Sequence, residues 1–173
     1  AGVFTRSATP SAAVKWDQSI ISHGKGRALV VNSGNANAWT GKAGAEAVQQ
    51  TVRTTAKIVG CPMSQVFESS TGVIGELLDH QKIMRKLPSL HKRASPKRWS
   101  EAARAIMTTD TFPKGASRSI EVNGQIIRIN GIAKGSGMIA PNMGTMLAYI
   151  FTDADIPRNL FQRMLVAANK KSF

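Results

Sequence analysis

The chain has a single cysteine, Cys61, so neither an internal disulfide nor a cysteine-built metal cage can hold it together. Gly60 and Pro62 flank it as turn residues after a helix, and it reads as a packed thiol. No apolar run approaches the ~20 residues that cross a bilayer. The opening Ala1-Gly-Val-Phe-Thr-Arg6 lacks the charged-then-apolar order of a signal peptide. His23, His80 and His91 are scattered, without the i, i+4 spacing that metal sites use. There is no dinucleotide fingerprint and no glycine-rich phosphate loop. These absences predict no metal, no cofactor, no membrane segment and a cytoplasmic, reducing location.

Acids are also scarce, with 10 Asp and Glu against 23 Lys and Arg, for a net charge of +13. The excess gathers at Lys82, Arg85, Lys86, Lys92, Arg93, Lys97, Arg98 and Arg104, where Glu101 is the one acid. Such a cluster attracts phosphates and other anions. Aromatic residues make up only 6% of the chain, and no RNA-recognition or zinc-finger signature accompanies the charge. A solvated basic face is therefore expected, and no nucleic-acid partner. Trp16, Trp39 and Trp99 read as core or edge packing.

What is present describes an ordinary globular chain: 173 residues, 42% hydrophobic and 19% charged, enough for one domain with a core. Strands are predicted at Arg27–Asn32, Val66–Ser69, Ser119–Val122, Ile126–Ile132 and Met146–Thr152. Asn123-Gly124 between Val122 and Ile126 is a strong hairpin signal, since both turn residues tolerate positive φ. A helix spans Lys42–Val59, with Ala45, Val48, Val52, Ala56 and Val59 on one stripe and Gly60 as its stop. Asp79 caps a short helix ended near Pro88, and Ser95-Pro96 opens another before Trp99. Asp155 caps the last helix, with Leu160, Phe161, Met164, Leu165 and Ala168 facing inward. Pro88–Pro96 is the most loop-like connector. The irregular order of strands and helices argues for an α+β fold rather than a wound parallel sheet.

The most informative stretch is Lys134-Gly-Ser-Gly-Met-Ile-Ala-Pro-Asn-Met-Gly144-Thr145, which runs straight into the apolar Met146–Phe151. It sets a hydroxyl directly after a glycine at the threshold of a strand. If the Gly144–Thr145 bond is cut, Thr145 gains a free α-amine beside its own hydroxyl, able to act as its base. An α-amine titrates at about 7.7–8.0, so much of it is neutral near physiological pH. Taken alone, a Gly-Thr pair is nearly always just a tight entry into a strand.

With Asn32-Ser-Gly-Asn-Ala-Asn37, Ser69-Ser-Thr-Gly-Val-Ile-Gly75 and Thr108-Thr-Asp-Thr-Phe-Pro-Lys114, this stretch resembles the ornithine acetyltransferase family, the bifunctional glutamate N-acetyltransferases of arginine biosynthesis. The resemblance covers nearly the whole chain. It implies an αββα sandwich of mostly antiparallel strands, incomplete here, and a chain that is one partial domain of a longer protein. Residues 1–144 would be part of an α chain and 145–173 the start of a β chain, separated by self-cleavage and assembled two of each. Acidic segments elsewhere in the protein would then balance the basic charge.

The resemblance also assigns residues. Thr145 would be the nucleophile that carries an acetyl group, and Gly144–Thr145 the cleavage site. Gly144 departs from the family's usual alanine, a change expected to leave cleavage intact. Thr71 and Gly72 would form the oxyanion hole, and Thr108, Lys134 and Thr145 would contact substrate. Asp110 either orients its neighbours or caps a turn and stays outside the catalytic set; Asn35 and Asn37 serve the backbone of a turn. The reaction implied moves acetyl from N-acetylornithine to glutamate and, in bifunctional members, from acetyl-CoA to glutamate. Two other readings of the sequence are a self-processed hydrolase of the aminopeptidase type and a basic binding module.

Overall fold

The computed structural model describes residues 1–137 and 146–172. It divides into two compact units, one of Phe4–Ser95 and one of Ala1–Val3 with the chain from Pro96 onward. The division falls inside the connector singled out by sequence.

In the first unit, α1 (Ala12–Ile20) is capped by Ser11, whose Oγ accepts from the Val14 amide at 3.3 Å. This helix is absent from the sequence reading, because nine residues give too few turns for a firm period. β1 (Ala28–Asn35), α2 (Gly41–Val59) and β2 (Val66–Val73) make a β-α-β unit, with β1 and β2 paired in parallel from Ala28↔Val66 to Gly34↔Gly72. A parallel pair needs a long crossover, and α2 supplies it.

Val48, Val52, Ala56 and Val66 form the core, with Trp16, Ala28, Cys61 and Met63 against it. The indole of Trp16 donates to the Val66 carbonyl at 3.0 Å. The buried stripe of α2 drifts through Gly44, Ala47, Val48, Thr51, Val52, Thr55 and Ala56. Ala45 is therefore exposed, not on the stripe as expected. Gly60 ends the helix in the left-handed region at φ 70°. Trp39 is 74% exposed rather than packed.

α3 (His80–Arg93) starts as expected, with Asp79 accepting from the Lys82 amide, but continues through Pro88. Proline costs a helix one donor and a steric clash; here Leu87 stays buried and α3 packs on α2, which carries the chain past it. Lys82, Arg85, Lys86, Lys92 and Arg93 are exposed on this helix.

In the second unit, α4 (Trp99–Ala105) begins at Arg98 without a side-chain cap. Ser95-Pro96 sits too far upstream to cap it and lies at a turn instead. β3 (Lys114–Val122), β4 (Gln125–Lys134) and β5 (Leu147–Thr152) form an antiparallel sheet in that order. The hairpin is as read: Val122 pairs with Gln125 across Asn123 (φ 51°) and Gly124 (φ 75°), both positive. Trp99 meets Phe151 edge-on, with ring centres 5.1 Å apart, and so seats α4 on the sheet. α5 (Arg158–Ser172) starts after Pro157, so Asp155 is not its cap. None of its residues is buried; Leu160 and Met164 are 41% and 50% exposed. Periodicity identifies an apolar stripe but not what covers it.

The class is thus α+β, with one parallel pair and one antiparallel sheet among the described residues. Among the described residues no helix is long and apolar enough to cross a membrane.

Candidate active site

Two of the residues proposed from the sequence meet in the second unit. Lys134 ends β4 two residues after Ile132, and alternation along a strand puts both side chains on one face. That face is the buried one: Lys134 is only 2% exposed. Its Nζ donates to Thr108 Oγ1 at 2.6 Å, joining β4 to the loop after α4. Thr108 accepts through its oxygen, which keeps its hydroxyl hydrogen free to donate to a ligand.

Asp110 holds this pair in place. Its Oδ1 accepts from Lys114 Nζ at 2.6 Å and from the Gly135 amide at 2.8 Å, and its Oδ2 accepts from the Thr108 amide at 3.2 Å. Lys114 in turn lies 4.8 Å from the centre of the Phe112 ring. Burial pushes the Asp110 carboxyl upward, but the Lys114 ammonium and the two amides outweigh it and hold the group well below the usual carboxylate range. Lys134 moves down from the ordinary lysine value, mainly because it is buried; Asp110 opposes the shift and Lys114 adds to it. Asp110, left outside the catalytic set by the sequence, does orient its neighbours. Its signal was the Thr108–Lys114 motif, which holds Lys114 as well, but the partner at 135 is invisible to a local motif.

The other proposed pair stands in the first unit, inside β2, which runs on past the predicted strand end at Ser69. Thr71 is buried and pairs in register with Ser33. Gly72 opposes Gly34, and a Cβ on Gly72 would lie 2.2 Å from the Gly34 carbonyl carbon. No side chain fits there, and the φ of 130° suits glycine alone. The strand ends are tied by asparagines. Asn35 accepts from the Asn37 amide at 2.7 Å and donates to the Glu76 carbonyl at 3.1 Å. The buried Asn37 donates to the Gly44 carbonyl and accepts from Thr40 Oγ1. Both asparagines bind backbone, as read from the sequence, and Asn37 takes the Thr40 hydroxyl as well. Deeper in this unit, Asp17 Oδ1 accepts from the Glu68 amide at 3.0 Å, and Glu68 Oε2 is buried without a partner. Burial pushes both carboxyls up to about 7; for Asp17 the Glu68 amide opposes the rise and the Glu68 carboxylate adds to it.

Gly144 and Thr145 lie outside the described residues. Among the described residues no group of three or more His, Cys, Asp or Glu is placed to hold a metal ion.

The chain matches the ArgJ family over residues 1–173. It is 54% identical over 173 residues to the arginine biosynthesis bifunctional protein ArgJ of Rhizobium meliloti (strain 1021), covering all of this chain and 42% of that one. For the protein of the same name from Gluconobacter oxydans (strain 621H), the figures are 49%, all of this chain and 41% of that one. The chain thus spans about two fifths of the length of these curated relatives. Among solved structures, the arginine biosynthesis bifunctional protein ArgJ of Bacillus halodurans superposes with a TM-score of 0.75 at 36% identity, over 85% of this chain and 76% of that chain. Ornithine acetyltransferase of Mycobacterium tuberculosis, complexed with ornithine, gives 0.69 at 32% identity, over 85% and 77%. Four motifs in order, a matching fold and a family match along its full length agree: the chain belongs to the ArgJ family.

Proposed function

We propose that the protein to which this chain belongs moves an acetyl group from N-acetylornithine to glutamate through an ester on Thr145. Acetyl-CoA would be a second donor in a bifunctional member. The observation that carries this reading is the buried Lys134 ammonium, hydrogen-bonded to Thr108 at the end of the strand leading to Thr145. A desolvated cation beside a hydroxyl suits the α-carboxylate that N-acetylornithine and glutamate both bear. The neighbour complexed with ornithine supports the substrate class.

Maturation comes first. The Thr145 hydroxyl attacks the Gly144 carbonyl carbon, the peptide C–N bond breaks, and an ester to Thr145 Oγ forms as its amine is released. Water then hydrolyses the ester, leaving a Gly144 carboxylate and a free Thr145 hydroxyl. Chain lengths support the split. This chain covers 41–42% of the sequence relatives, yet 85% of it covers 76–77% of the solved chains, which are therefore roughly half as long.

In turnover, the Thr145 amine takes the hydroxyl proton as Oγ attacks the acetyl carbon. The oxyanion that forms is stabilised by Thr71 Oγ1 and the Gly72 amide. Collapse breaks the amide bond, and the amine returns the proton to the departing ornithine nitrogen. The glutamate α-amine then attacks the acetyl ester, restoring Thr145. The mature enzyme would contain α and β chains, two of each.

Incubating the full-length protein with N-acetylornithine and glutamate should yield ornithine and N-acetylglutamate. Release of acetate in place of N-acetylglutamate would sink the transferase reading in favour of a hydrolase. N-terminal sequencing of the split products should give one that reads Thr-Met-Leu-Ala.

A further inference from the structure

The site needs more than the residues that touch substrate. A lysine buried at a strand end and a threonine in a loop 26 residues away in sequence do not hold a 2.6 Å contact by themselves. Both side chains lose rotamer freedom on being ordered, an entropic cost that the contact must offset. The buried Asp110 makes bonds that do so. Its Oδ2 fixes the backbone of Thr108 through the amide. Its Oδ1 fixes the residue next to Lys134 through the Gly135 amide. One carboxylate thus grips both halves of the Thr108–Lys134 pair.

We propose that Asp110 is the positioning residue of this site, clamping the Thr108 loop to the Lys134–Gly135 strand end so that the pair is set before substrate binds. The proposal rests on the reading of Lys134 as the cation for the substrate carboxylate. Asp110 touches no substrate itself; it acts through Thr108 and Lys134. Its second function is electrostatic. Lys114 pairs with this carboxylate at 2.6 Å, and Lys134 lies within its electrostatic reach. Lys114, on β3, takes up part of its charge, and the remainder favours the protonated form of Lys134 against the effect of burial. Asp110 thereby sets both where Lys134 sits and the pH range over which it is a cation.

The test uses Asp110→Asn and Lys114→Met in the full-length, processed enzyme. The asparagine keeps the shape and one acceptor but removes the charge. Lys134 must be protonated to hold a carboxylate, so kcat/KM for N-acetylornithine falls as pH rises through its titration. Asp110→Asn should move that alkaline limb to lower pH and raise KM about 10-fold, the scale of a lost charge-assisted contact. Lys114→Met removes a repelling cation and releases Asp110 from its partner, so the limb should move to higher pH. General damage to the fold cannot produce shifts of opposite sign.

The same two variants are titrated without substrate by NMR of the Lys134 side chain in lysine-labelled protein. Opposite shifts there support the proposal even if the kinetic limb is missing, in which case it is the carboxylate reading of Lys134 that falls. Unmoved titrations, or shifts in one direction for both variants, overturn the proposal. If Asp110→Asn does not fold, Lys114→Met decides: an upward shift of Lys134 supports the clamp, and no upward shift overturns it.

Discussion

The two units bury carboxylates in opposite ways. In the first, Asp17 and Glu68 sit within a β-α-β layer where burial dominates, Glu68 Oε2 has no partner, and both groups titrate near 7. In the second, Asp110 is equally buried but meets an ammonium and two amides, and its carboxyl is held far down. A buried acid can be accommodated by keeping its proton or by supplying compensating donors. Only the second solution leaves a fixed charge with which to organise a site, and the proposed substrate cation stands beside it. What is tightly set in the first unit is backbone, through the close approach of Gly34 and Gly72.

The largest effect should separate the backbones of the units. Gly72→Ala places a Cβ against the Gly34 backbone and is expected to cost more than about 4 kcal/mol, enough to prevent folding of the first unit. Gly124→Ala meets nothing within 4 Å and pays only for positive φ, about 1–2 kcal/mol. Thermal unfolding of the two full-length variants checks this. Similar losses in both would mean that the glycine contact is not close-packed in solution.

Next in size is a kinetic division. Thr71→Ala removes the proposed oxyanion donor, which would act mainly in the transition state, so kcat should fall about 10²–10³-fold with little change in KM. Lys134→Met should lower kcat/KM for N-acetylornithine by about 10- to 150-fold, the equivalent of 1.5–3 kcal/mol. For an N-acetyl amine without an α-carboxylate it should matter little. Steady-state kinetics on both substrates decides, and equal losses on the two would remove Lys134 from carboxylate binding.

The smallest effect is on stability against pH, and its sign differs between the units. Asp17 and Glu68 bind protons more tightly folded than unfolded. Their contribution is full below about 4 and is lost as pH rises to about 7. Asp17→Asn should flatten that decline and stabilise the protein at neutral pH, by on the order of 1–2 kcal/mol. Asp110 binds its proton more weakly folded than unfolded. Its contribution is present above about 4 and is lost as pH falls below that, so Asp110→Asn should destabilise at neutral pH. Melting curves across pH 3–8 that moved the same way for both substitutions would erase the distinction.

Much of this was legible in the sequence, and the misses share a cause. The Asn123-Gly124 hairpin and the Gly60 helix stop were readable because each depends on φ at one or two residues. Helix α1 was too short to show a period, and α3 crossed a proline because packing on α2 outweighed a local penalty. The parallel pairing of β1 with β2 depends on where α2 crosses, which strand patterns do not encode. Thr108 and Lys134 were found through motifs, yet their contact and the grip of Asp110 on both were not.

The sequence by itself determined what is decided within a few residues: strand alternation, turn chemistry, the α+β class and the four motifs that resemble one family. Tertiary structure alone decided which side of a strand became interior. Once β4 packed its Ile132 face inward, Lys134 had to follow two residues later, and a buried ammonium must find partners because desolvating it is costly. Those partners came from a loop far away in sequence, where Asp110 had already been tied down.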